Sequence, residues 1–404
     1  DARARDEYTS AAAPLYVDLS PGDEPVTFAA GAGSLGTAGE VLEPPPNRSE
    51  FFVRIDGRGR NIQLDGSPSG NAVITVKSGV TLYLRNITLT GIDANNFPII
   101  MVDAGGTLAI EDAAVVRGNT NPTVTYVYDS NAAVSAGGIG VYGTLRMEGG
   151  EISGNTSLRS GGVYVHYGTL RMESGKISGN TGYNTGGVTI NTGTFTMTGG
   201  EISGNTGDAV NNGGNFTMEG GEISRNTNDG FGGSVRNRSM GTFTMKGGKI
   251  SGNTANFGGG VYNVGTFIME GGEISGNTAN GNIGSGGGVY LIEGTFTMKG
   301  GEISGNTATN NGGGVYIEDL YNAIFIKTGG IIYGDTDTDH IPGSTENTAK
   351  LGGHVVYVKS SSKKRNTDAG PEVKLYAENY SGSAWTFEDT SPDSAVGDTT
   401  ANWE

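Results

Sequence analysis

The 404-residue sequence contains no cysteine, and this absence removes disulfide bonds and thiol chemistry from the functions to be considered. It fits a protein that meets an oxidising exterior. Basic residues are also scarce: 26 Lys and Arg stand against 42 Asp and Glu, a formal net charge of −16. Nucleic-acid binding needs a basic face, so no nucleic-acid partner is predicted. No run of 18 apolar residues occurs, so no membrane span is predicted either.

Signals for catalysis and for cofactors are also lacking. The three histidines, His166, His340 and His354, have no carboxylate at a motif spacing. No metal-ligand cluster, phosphate-binding loop or nucleophile motif is present in the sequence. We therefore predict no catalytic residue, no cofactor-binding residue and no metal site. Calcium held between successive glutamates of the repeat described next is kept as an alternative.

Glycine, in contrast, is abundant, with 73 residues, and much of it lies in an internal repeat. The clearest copy is GTFTMKGGEISGNT at Gly294–Thr307, and the starts of the seven good copies are 25, 25, 21, 27, 24 and 29 residues apart. A repeat at this spacing indicates a solenoid or a related array. The other six copies are Gly143–Thr156, Gly168–Thr181, Gly193–Thr206, Gly214–Thr227, Gly241–Thr254 and Gly265–Thr278.

Each repeat reads as three short strands joined by glycine corners. In Thr295–Lys299 polar and apolar residues alternate, so that Phe296 and Met298 point to one side. A Gly-Gly corner leads to Glu302–Ser304, and a variable loop leads to the third strand at Gly312–Tyr316. Helix-forming runs are missing between residues 100 and 360, which excludes leucine-rich and ankyrin-type solenoids. The predicted fold is all-β: a single-stranded right-handed parallel β-helix (β-solenoid) of about a dozen coils.

Stacking of the coils predicts columns of identical residues along the solenoid. Phenylalanine or leucine, methionine and isoleucine form three inward columns, and asparagine forms a corner column. Asparagine tolerates the left-handed backbone of a tight corner, and its amide can bond to the amides above and below. A structural ladder is therefore predicted for Asn155, Asn180, Asn205, Asn226, Asn253, Asn277 and Asn306.

The repeat also sets the predicted domain organisation. Residues 1–50 lack the repeat and are interpreted as an N-terminal arm or cap, followed by irregular first coils at 51–136. Regular coils follow at 137–358, and 359–404 are interpreted as a C-terminal cap, which a solenoid needs to cover its end. Within the arm, one strand-like run is a candidate for pairing with a neighbouring subunit, the alternative being that it caps its own helix or lies along its side. This run is Leu15, Tyr16, Val17, Asp18 and Leu19.

Three outward columns are candidates for function. Thr-x-Thr pairs suggest an ice-binding array, which Arg146, Arg171 and Ile268 interrupt. Alternating Glu and Lys indicate a solvated face in which opposite charges face each other. An exposed tyrosine column would suit stacking on sugars or on another protein, the alternative being that the chain's own loops cover it. The tyrosines of this predicted partner or glycan surface are Tyr142, Tyr164, Tyr262, Tyr290 and Tyr316.

The phrases GGEISGNTA, GGGVYV and GTFTM resemble the repeats of large adhesin-like surface proteins of host-associated and anaerobic bacteria, which are pectate-lyase-like right-handed β-helices. They are also similar to the GG-x-I repeats of polymorphic outer-membrane proteins, although the F-x-x-N part of that pattern is not clear here. The resemblance covers roughly residues 70–350 and implies an exported protein of adhesive or structural role at the bacterial cell surface. It carries over no catalytic residue.

Three functional hypotheses follow from these observations. The first is a non-enzymatic extracellular structural or adhesin-like β-helix, which self-assembles into a fibre through its N-terminal arm. Its expected partners are further copies of the chain and a host or environmental glycan or protein. The second is a carbohydrate-binding or polysaccharide-cleaving protein that uses the tyrosine column. The third is ice binding.

Overall fold

A computed structural model describes the chain in ranges that include nearly all of the repeats. The chain divides into two compact units, Asp1–Thr206 and Gly207–Glu404, which are called unit 1 and unit 2. Both consist of strands joined by turns, with no helix among the described residues. The described residues are 15–18, 26–29, 40–42, 49–65, 72, 74–122, 136–333, 347–350, 356–359 and 375–377.

Unit 1 contains eighteen of the described strands, and several of the longer ones turn a corner of the coil without interruption. They are β1 (Leu15–Asp18), β2 (Val26–Ala29), β3 (Glu40–Leu42), β4 (Phe51–Asp65), β5 (Ile74–Val76), β6 (Val80–Thr90), β7 (Ile100–Val102), β8 (Thr107–Ile110), β9 (Val115–Arg117), β10 (Thr120–Asn121), β11 (Ile139–Val141), β12 (Thr144–Ser153), β13 (Thr156–Ser157), β14 (Val163–Val165), β15 (Thr169–Ser178), β16 (Thr181–Ile190), β17 (Thr194–Met197) and β18 (Glu201–Ser203).

The strands of unit 2 follow the same order around each coil, and the first of them begins at the last residue of unit 1. They are β19 (Thr206–Asn212), β20 (Asn215–Met218), β21 (Glu222–Ser224), β22 (Thr227–Phe231), β23 (Val235–Asn237), β24 (Thr242–Met245), β25 (Lys249–Ser251), β26 (Thr254–Phe257), β27 (Val261–Asn263), β28 (Thr266–Met269), β29 (Glu273–Ser275), β30 (Thr278–Ala279), β31 (Val289–Met298), β32 (Glu302–Ser304), β33 (Thr307–Ala308), β34 (Val315–Lys327), β35 (Ile331–Ile332), β36 (Thr348–Ala349), β37 (Val356–Lys359) and β38 (Leu375–Ala377).

Strands at equivalent places in successive coils pair in parallel and in register. The GTFTM segment forms the first position of a coil, the EIS segment the second, and the GGGVY segment the third. In unit 1, β12 pairs with β15 so that Leu145 faces Leu170. In unit 2, β24 pairs with β28 so that Phe243 faces Phe267. The predicted parallel β-solenoid is confirmed.

The three inward columns form the core, as the sequence predicts. Phe, Met and Ile at the predicted positions are almost completely buried throughout the repeats. In unit 2 the phenylalanine rings lie nearly parallel, with centroids 4.8 Å apart for Phe243 and Phe267 and 4.5 Å apart for Phe267 and Phe296. These distances match the spacing of strands in a sheet, about 4.8 Å, because the backbone pairing sets the separation of the rings.

The described strands of residues 1–50, the segment interpreted as an N-terminal arm or cap, pair with the coils that follow them. The strands β1 and β2 both pair in parallel with β4, with Leu15 facing Val53 and Val26 facing Ile62. The strand β3 pairs in the same way with β5. The strands β1, β2 and β3 thus supply the first, second and third positions of a further coil. At the other end, Leu375–Ala377 pairs with β37 at the third position, and most of the predicted C-terminal cap lies outside the described residues.

Two corner glycines of one coil in unit 2, Gly248 and Gly252, differ in the space that they leave for a side chain. Gly248 has φ +82°, and a Cβ placed there would lie 2.7 Å from the Met218 methyl carbon and 2.8 Å from the Gly221 carbonyl oxygen. Gly252 has φ +62°, with nothing within 4 Å of such a Cβ. The register of Ser224 with Ser251 puts Arg225, at φ 55°, in the place equivalent to Gly252. The second corner therefore accepts a side chain, and the first does not.

Alanine substitutions at these two glycines are expected to differ in their effect on stability. Gly252→Ala should lower the free energy of unfolding by about 1 kcal/mol, which is the cost of a left-handed backbone for a residue with a Cβ. Gly248→Ala should lower it by several kcal/mol, because the carbonyl oxygen it meets belongs to the backbone of the preceding coil and cannot move aside. Urea denaturation followed by circular dichroism measures both. Equal losses would contradict the packing described for Gly248.

Candidate functional surface

The asparagine column is a continuous hydrogen-bonded ladder within each unit. In unit 1, Asn180 Oδ1 accepts from the backbone N–H of Asn155 at 3.0 Å and from its Nδ2 at 3.1 Å. The Nδ2 of Asn180 in turn donates to the Ile152 carbonyl oxygen at 2.9 Å. The described ladder is longer than predicted, because Asn95 and Asn119 precede Asn155 in unit 1 and Asn347 follows Asn306 in unit 2. The structural role predicted for this column is confirmed.

The tyrosine column is buried in unit 2, which agrees with the alternative that the chain itself covers it and not with an exposed surface. Tyr262, Tyr290 and Tyr316 stack on one another, with centroids 5.3 and 4.7 Å apart, and each is at most 7% exposed. The half-buried side chains of Phe257, Val264 and Ile292 pack against this stack. The hydroxyl groups of Tyr290 and Tyr316 both donate to the buried carboxylate of Glu318, at 3.4 Å. Burial, together with this carboxylate, raises the pKa of Tyr290.

The two tyrosines in unit 1 differ from each other. Tyr164 occupies the predicted column and is buried, at 7% exposure. Tyr142 lies outside that column, because the residue that faces Tyr164 in register is Gly140. Tyr142 instead follows the strand β11 and remains partly exposed. Burial is the main reason that the pKa of Tyr142 is raised, and Tyr164, Asp103 and Tyr167 contribute as charged neighbours.

The predicted assembly strand pairs within its own chain. Leu15, Tyr16, Val17 and Asp18 form β1 and face residues 53–56 of β4, whereas Leu19 lies outside the described residues. One edge of this strand therefore forms hydrogen bonds with the next coil of its own unit.

The charged columns alternate as predicted. In unit 1, Lys176 lies in register between Glu151 and Glu201, and its Nζ is 3.1 Å from the Glu201 carboxylate. In unit 2, Lys249 pairs with Glu273 at 2.8 Å. Burial is the largest single influence on the pKa of the Glu273 carboxyl and raises it, but the hydrogen bonds from Lys249 and Ser275 and the charge of Lys249 together lower the pKa below its usual value. Such exposed pairs contribute little stability individually, but they remove repulsion between stacked glutamates.

The Thr-x-Thr pairs and the calcium alternative depend on the same outward columns. In unit 2 the half-buried Ile268 lies in register between Thr244 and Thr297 and interrupts the threonine column. Glu273 and Glu302 are neighbours in register. Across the described ranges, no three His, Cys, Asp or Glu side chains come close enough to hold a metal ion. In the same ranges, no helix is long and apolar enough to cross a membrane.

An irregular outward column in unit 1 was not recognised from the sequence. Each of its members directly follows a third-position strand, and the backbone N–H of each of the last four donates to the coil before it, at 2.7 to 2.9 Å. The five members of this column are of five different residue types. We call it the mixed column; it consists of Lys77, Asp103, Tyr142, His166 and Asn191.

Aromatic rings surround His166 within the mixed column. The ring of Tyr164 stacks on the imidazole with centroids 5.9 Å apart, and Tyr142 meets it edge-on at 5.1 Å. Tyr167 also meets it edge-on, at 4.3 Å, and is 71% exposed. The backbone of Tyr167 has φ 60°, a conformation that is uncommon for a bulky residue and that clusters at functional sites. A large aromatic ring is thus held in solvent at the cost of backbone strain.

A contact with Asn191, in the orientation of its amide in this structure, favours one tautomer of His166. Its Nδ1 lies 3.0 Å from the Nδ2 of Asn191, and an amide nitrogen is a donor, so Nδ1 accepts. Partial burial lowers the pKa of this imidazole, which favours the neutral form. The neutral ring then carries its proton on Nε2, which becomes a donor available to a ligand.

A buried aspartate in unit 2 was also missed. Asp208 is completely buried, and its two carboxylate oxygens accept from Asn211 Nδ2 at 2.8 Å and from Asn228 Nδ2 at 2.5 Å. Arg236 lies nearby, over the rings of Phe231 and Tyr262. Burial outweighs the lowering effects of the arginine and the amides and raises the pKa of Asp208 to about 8. The carboxyl group is therefore largely protonated at neutral pH.

The raised pKa of Asp208 makes stability depend on pH. The proton is bound in the folded chain up to about pH 8 but is lost from the unfolded chain near pH 3.8. The contribution of this bound proton to the free energy of unfolding is fully present below pH 3.8 and is lost as the pH rises to 8. Between these values the free energy of unfolding falls by about 1.4 kcal/mol per pH unit. Asp208→Asn should remove this slope, so the variant should be more stable than wild type at pH 8 and similar at pH 4.

Hydrogen exchange of peptides from residues 207–240, at pH-matched labelling times, reports this effect locally. Asp229→Asn is the control, because it makes the same charge change at an exposed aspartate of the same unit. A wild-type pH slope that persists in the Asp208→Asn variant would contradict the role of this carboxyl group.

The chain matches no known protein-family model, no curated protein and no solved structure.

Proposed function

We propose that this chain is a non-enzymatic structural protein of the adhesin-like class that works outside the cell, at a bacterial surface. One observation carries the proposal: in both units the same residue types recur at the same place in successive coils, on the inner and on the outer face. The inner columns of Phe, Met, Ile and Asn are buried throughout. The outer Glu and Lys columns pair with each other along the stack. In such an arrangement each coil is stabilised by its contacts with the neighbouring coils.

An extracellular setting is supported by composition. The absence of cysteine makes the fold independent of the redox state of its surroundings, and the net charge of −16 favours solubility. The similarity of the repeat to bacterial surface adhesins points the same way. Depolymerisation of polysaccharides, measured as the release of new reducing ends from a panel of acidic and neutral polymers, is the direct test of the non-enzymatic part. Reproducible release by the purified chain would contradict it.

Self-assembly into fibres is part of this proposal. The strands β1, β2 and β3 form a coil that pairs with β4 and β5 on one side. Among the described strands they have no partner on the other side. A strand edge of this kind offers backbone N–H and C=O groups to a strand from a second copy.

Sedimentation velocity and negative-stain electron microscopy over a range of concentrations test the assembly. The purified chain should form fibres, and a small soluble domain fused before Asp1 should stop their growth by covering the edge. The matched control carries the same domain inserted between Asn280 and Gly281, in a loop of unit 2 with exposed residues, and should still assemble. Fibres from the N-terminal fusion would show that assembly uses another surface, and a chain that stays monomeric throughout would contradict assembly altogether.

A further inference from the structure

The mixed column of unit 1 has the chemistry of a sugar-binding face rather than of a structural column. Tyrosine offers a large, rigid and amphipathic contact at a low cost in conformational entropy. The ring of Tyr167 is exposed and held in place by His166, whose own ring is enclosed by Tyr142 and Tyr164. The apolar face of a pyranose ring is flat and of similar size. An aromatic side chain fixed in solvent is therefore matched to stacking on a sugar.

Polar groups lie beside this ring in the positions that hydroxyl groups need. The Nε2–H of His166 is a donor, and the half-buried amide of Asn191 adjoins it through the 3.0 Å contact with Nδ1. On the other side of Tyr142 lie Asp103 and Lys77. Because successive members of the column are separated by the strand spacing of about 4.8 Å, the column repeats at close to the length of one pyranose unit.

The charges of the column are balanced, which indicates the class of sugar. Lys77 Nζ lies 2.5 Å from the Asp103 carboxylate, so the lysine and the aspartate neutralise each other. No net positive charge remains to attract a uronate or a sulfated sugar, and the chain as a whole is strongly acidic. A neutral ligand, in contrast, gains hydrogen bonds from both members of the pair without having to break it.

We propose that the mixed column, together with Tyr167, binds a neutral oligosaccharide that lies along the stack of coils. One pyranose ring packs against Tyr167, and its hydroxyl groups bond to His166 and Asn191. Further sugar units extend towards Asp103 and Lys77. This site is independent of the proposed structural role, since a fibre without it would still assemble and a monomer with it would still bind.

Binding of defined tetrasaccharides to the full chain, measured by isothermal titration calorimetry and ligand-detected NMR, tests the site. The neutral probes are cellotetraose, chitotetraose, xylotetraose and maltotetraose, and tetragalacturonate is the acidic comparison. Tyr167→Gly deletes the ring and suits the observed φ of 60°, so it should fold at least as stably as wild type. His166→Phe keeps a ring between the tyrosines and removes both nitrogens. Tyr183→Ala is the control, because Tyr183 is 84% exposed in the same unit and lies outside the mixed column.

We expect at least one neutral tetrasaccharide to bind and tetragalacturonate to bind more weakly or not at all. Tyr167→Gly should weaken binding about tenfold, His166→Phe by about five- to tenfold, and Tyr183→Ala by less than about twofold. Thermal denaturation should show an unchanged or higher midpoint for Tyr167→Gly, which separates a loss of contact from a loss of fold. The proposal is overturned if no neutral probe binds at millimolar concentration, if tetragalacturonate binds more tightly, or if Tyr183→Ala weakens binding as much as Tyr167→Gly does.

Discussion

Replacing Asn253 by alanine is expected to lower the free energy of unfolding of unit 2 by about 2 to 6 kcal/mol. The Oδ1 of Asn253 accepts from the backbone N–H of Asn226 at 3.0 Å and from its Nδ2 at 2.9 Å. Its Nδ2 donates to the Ile223 carbonyl oxygen and to Asn277 Oδ1, both at 2.9 Å. Asn253 is completely buried, so water cannot replace these bonds.

The cost comes mainly from the groups that alanine would leave behind. Two side-chain partners keep another bond: Asn226 Nδ2 also donates to the Ser224 carbonyl oxygen, and Asn277 Oδ1 also accepts from the Asn253 backbone. The backbone N–H of Asn226 and the carbonyl of Ile223 both lose the bond to Asn253 inside the core. A buried polar group that is left without a partner costs about 1 to 3 kcal/mol, and the weaker hydrogen bonding of the other three groups and the space left by the amide extend the expected range upwards.

Urea denaturation followed by circular dichroism measures the global effect, and hydrogen exchange of residues 220–280 locates it. Asn280→Ala is the matched control, because Asn280 is exposed in a loop of the same unit and its side chain should contribute less than about 0.5 kcal/mol. Losses of equal size in the two variants would show that the ladder adds no stability of its own.

The asparagine ladder is also the feature that the sequence predicted best. An asparagine that recurs before threonine at every second corner has few explanations other than stacked amides. The same Asn-Thr pair at Asn119 and Asn347 marks the further rungs, although the rest of the repeat is degenerate there. The direction of the bonds, from each coil to the next, depends on backbone geometry that residue types do not specify.

The tyrosine column shows what the alternation of residues along a strand can predict and what it cannot. Alternation correctly places Val289 inside and Tyr290 outside the sheet, but it does not say what lies over the outer face. Val264, which follows β27, and Ile292, which lies within β31, make that face apolar in unit 2, and both pack against the tyrosines. Reading the column next to the tyrosines, rather than the tyrosines alone, would have predicted their burial.

The N-terminal coil was not predictable from the repeat. None of the strands β1, β2 and β3 has the GTFTM or EIS sequence pattern. Their place is set by parallel pairing with β4 and β5, which is a long-range property. The mixed column was not recognised from the sequence for a similar reason. Its five members occupy the same register position in successive coils, but they have no residue type in common.

Replacing Phe267 by alanine is expected to lower the free energy of unfolding of unit 2 by about 3 to 5 kcal/mol. Phe267 is completely buried between the rings of Phe243 and Phe296, which lie within 7° of parallel to it. Its removal opens a cavity and also ends two ring contacts. The column cannot close around the gap, because the strand pairing of β24, β28 and β31 holds the neighbouring rings at fixed separations.

Phe267→Leu separates the loss of volume from the loss of ring stacking. Leucine occupies the same inward column at Leu145 and Leu170 in unit 1, where the two side chains face each other and are completely buried. The leucine variant should therefore retain the fold and lose only about 1 to 2 kcal/mol, through imperfect filling and the missing ring contacts. Phe231→Ala is the surface control, because that ring is 48% exposed and its loss should cost less than about 1 kcal/mol. Equal losses of stability in the three variants would contradict a specific contribution of the stacked rings. The register of the coils would then have to depend on the asparagine ladder alone.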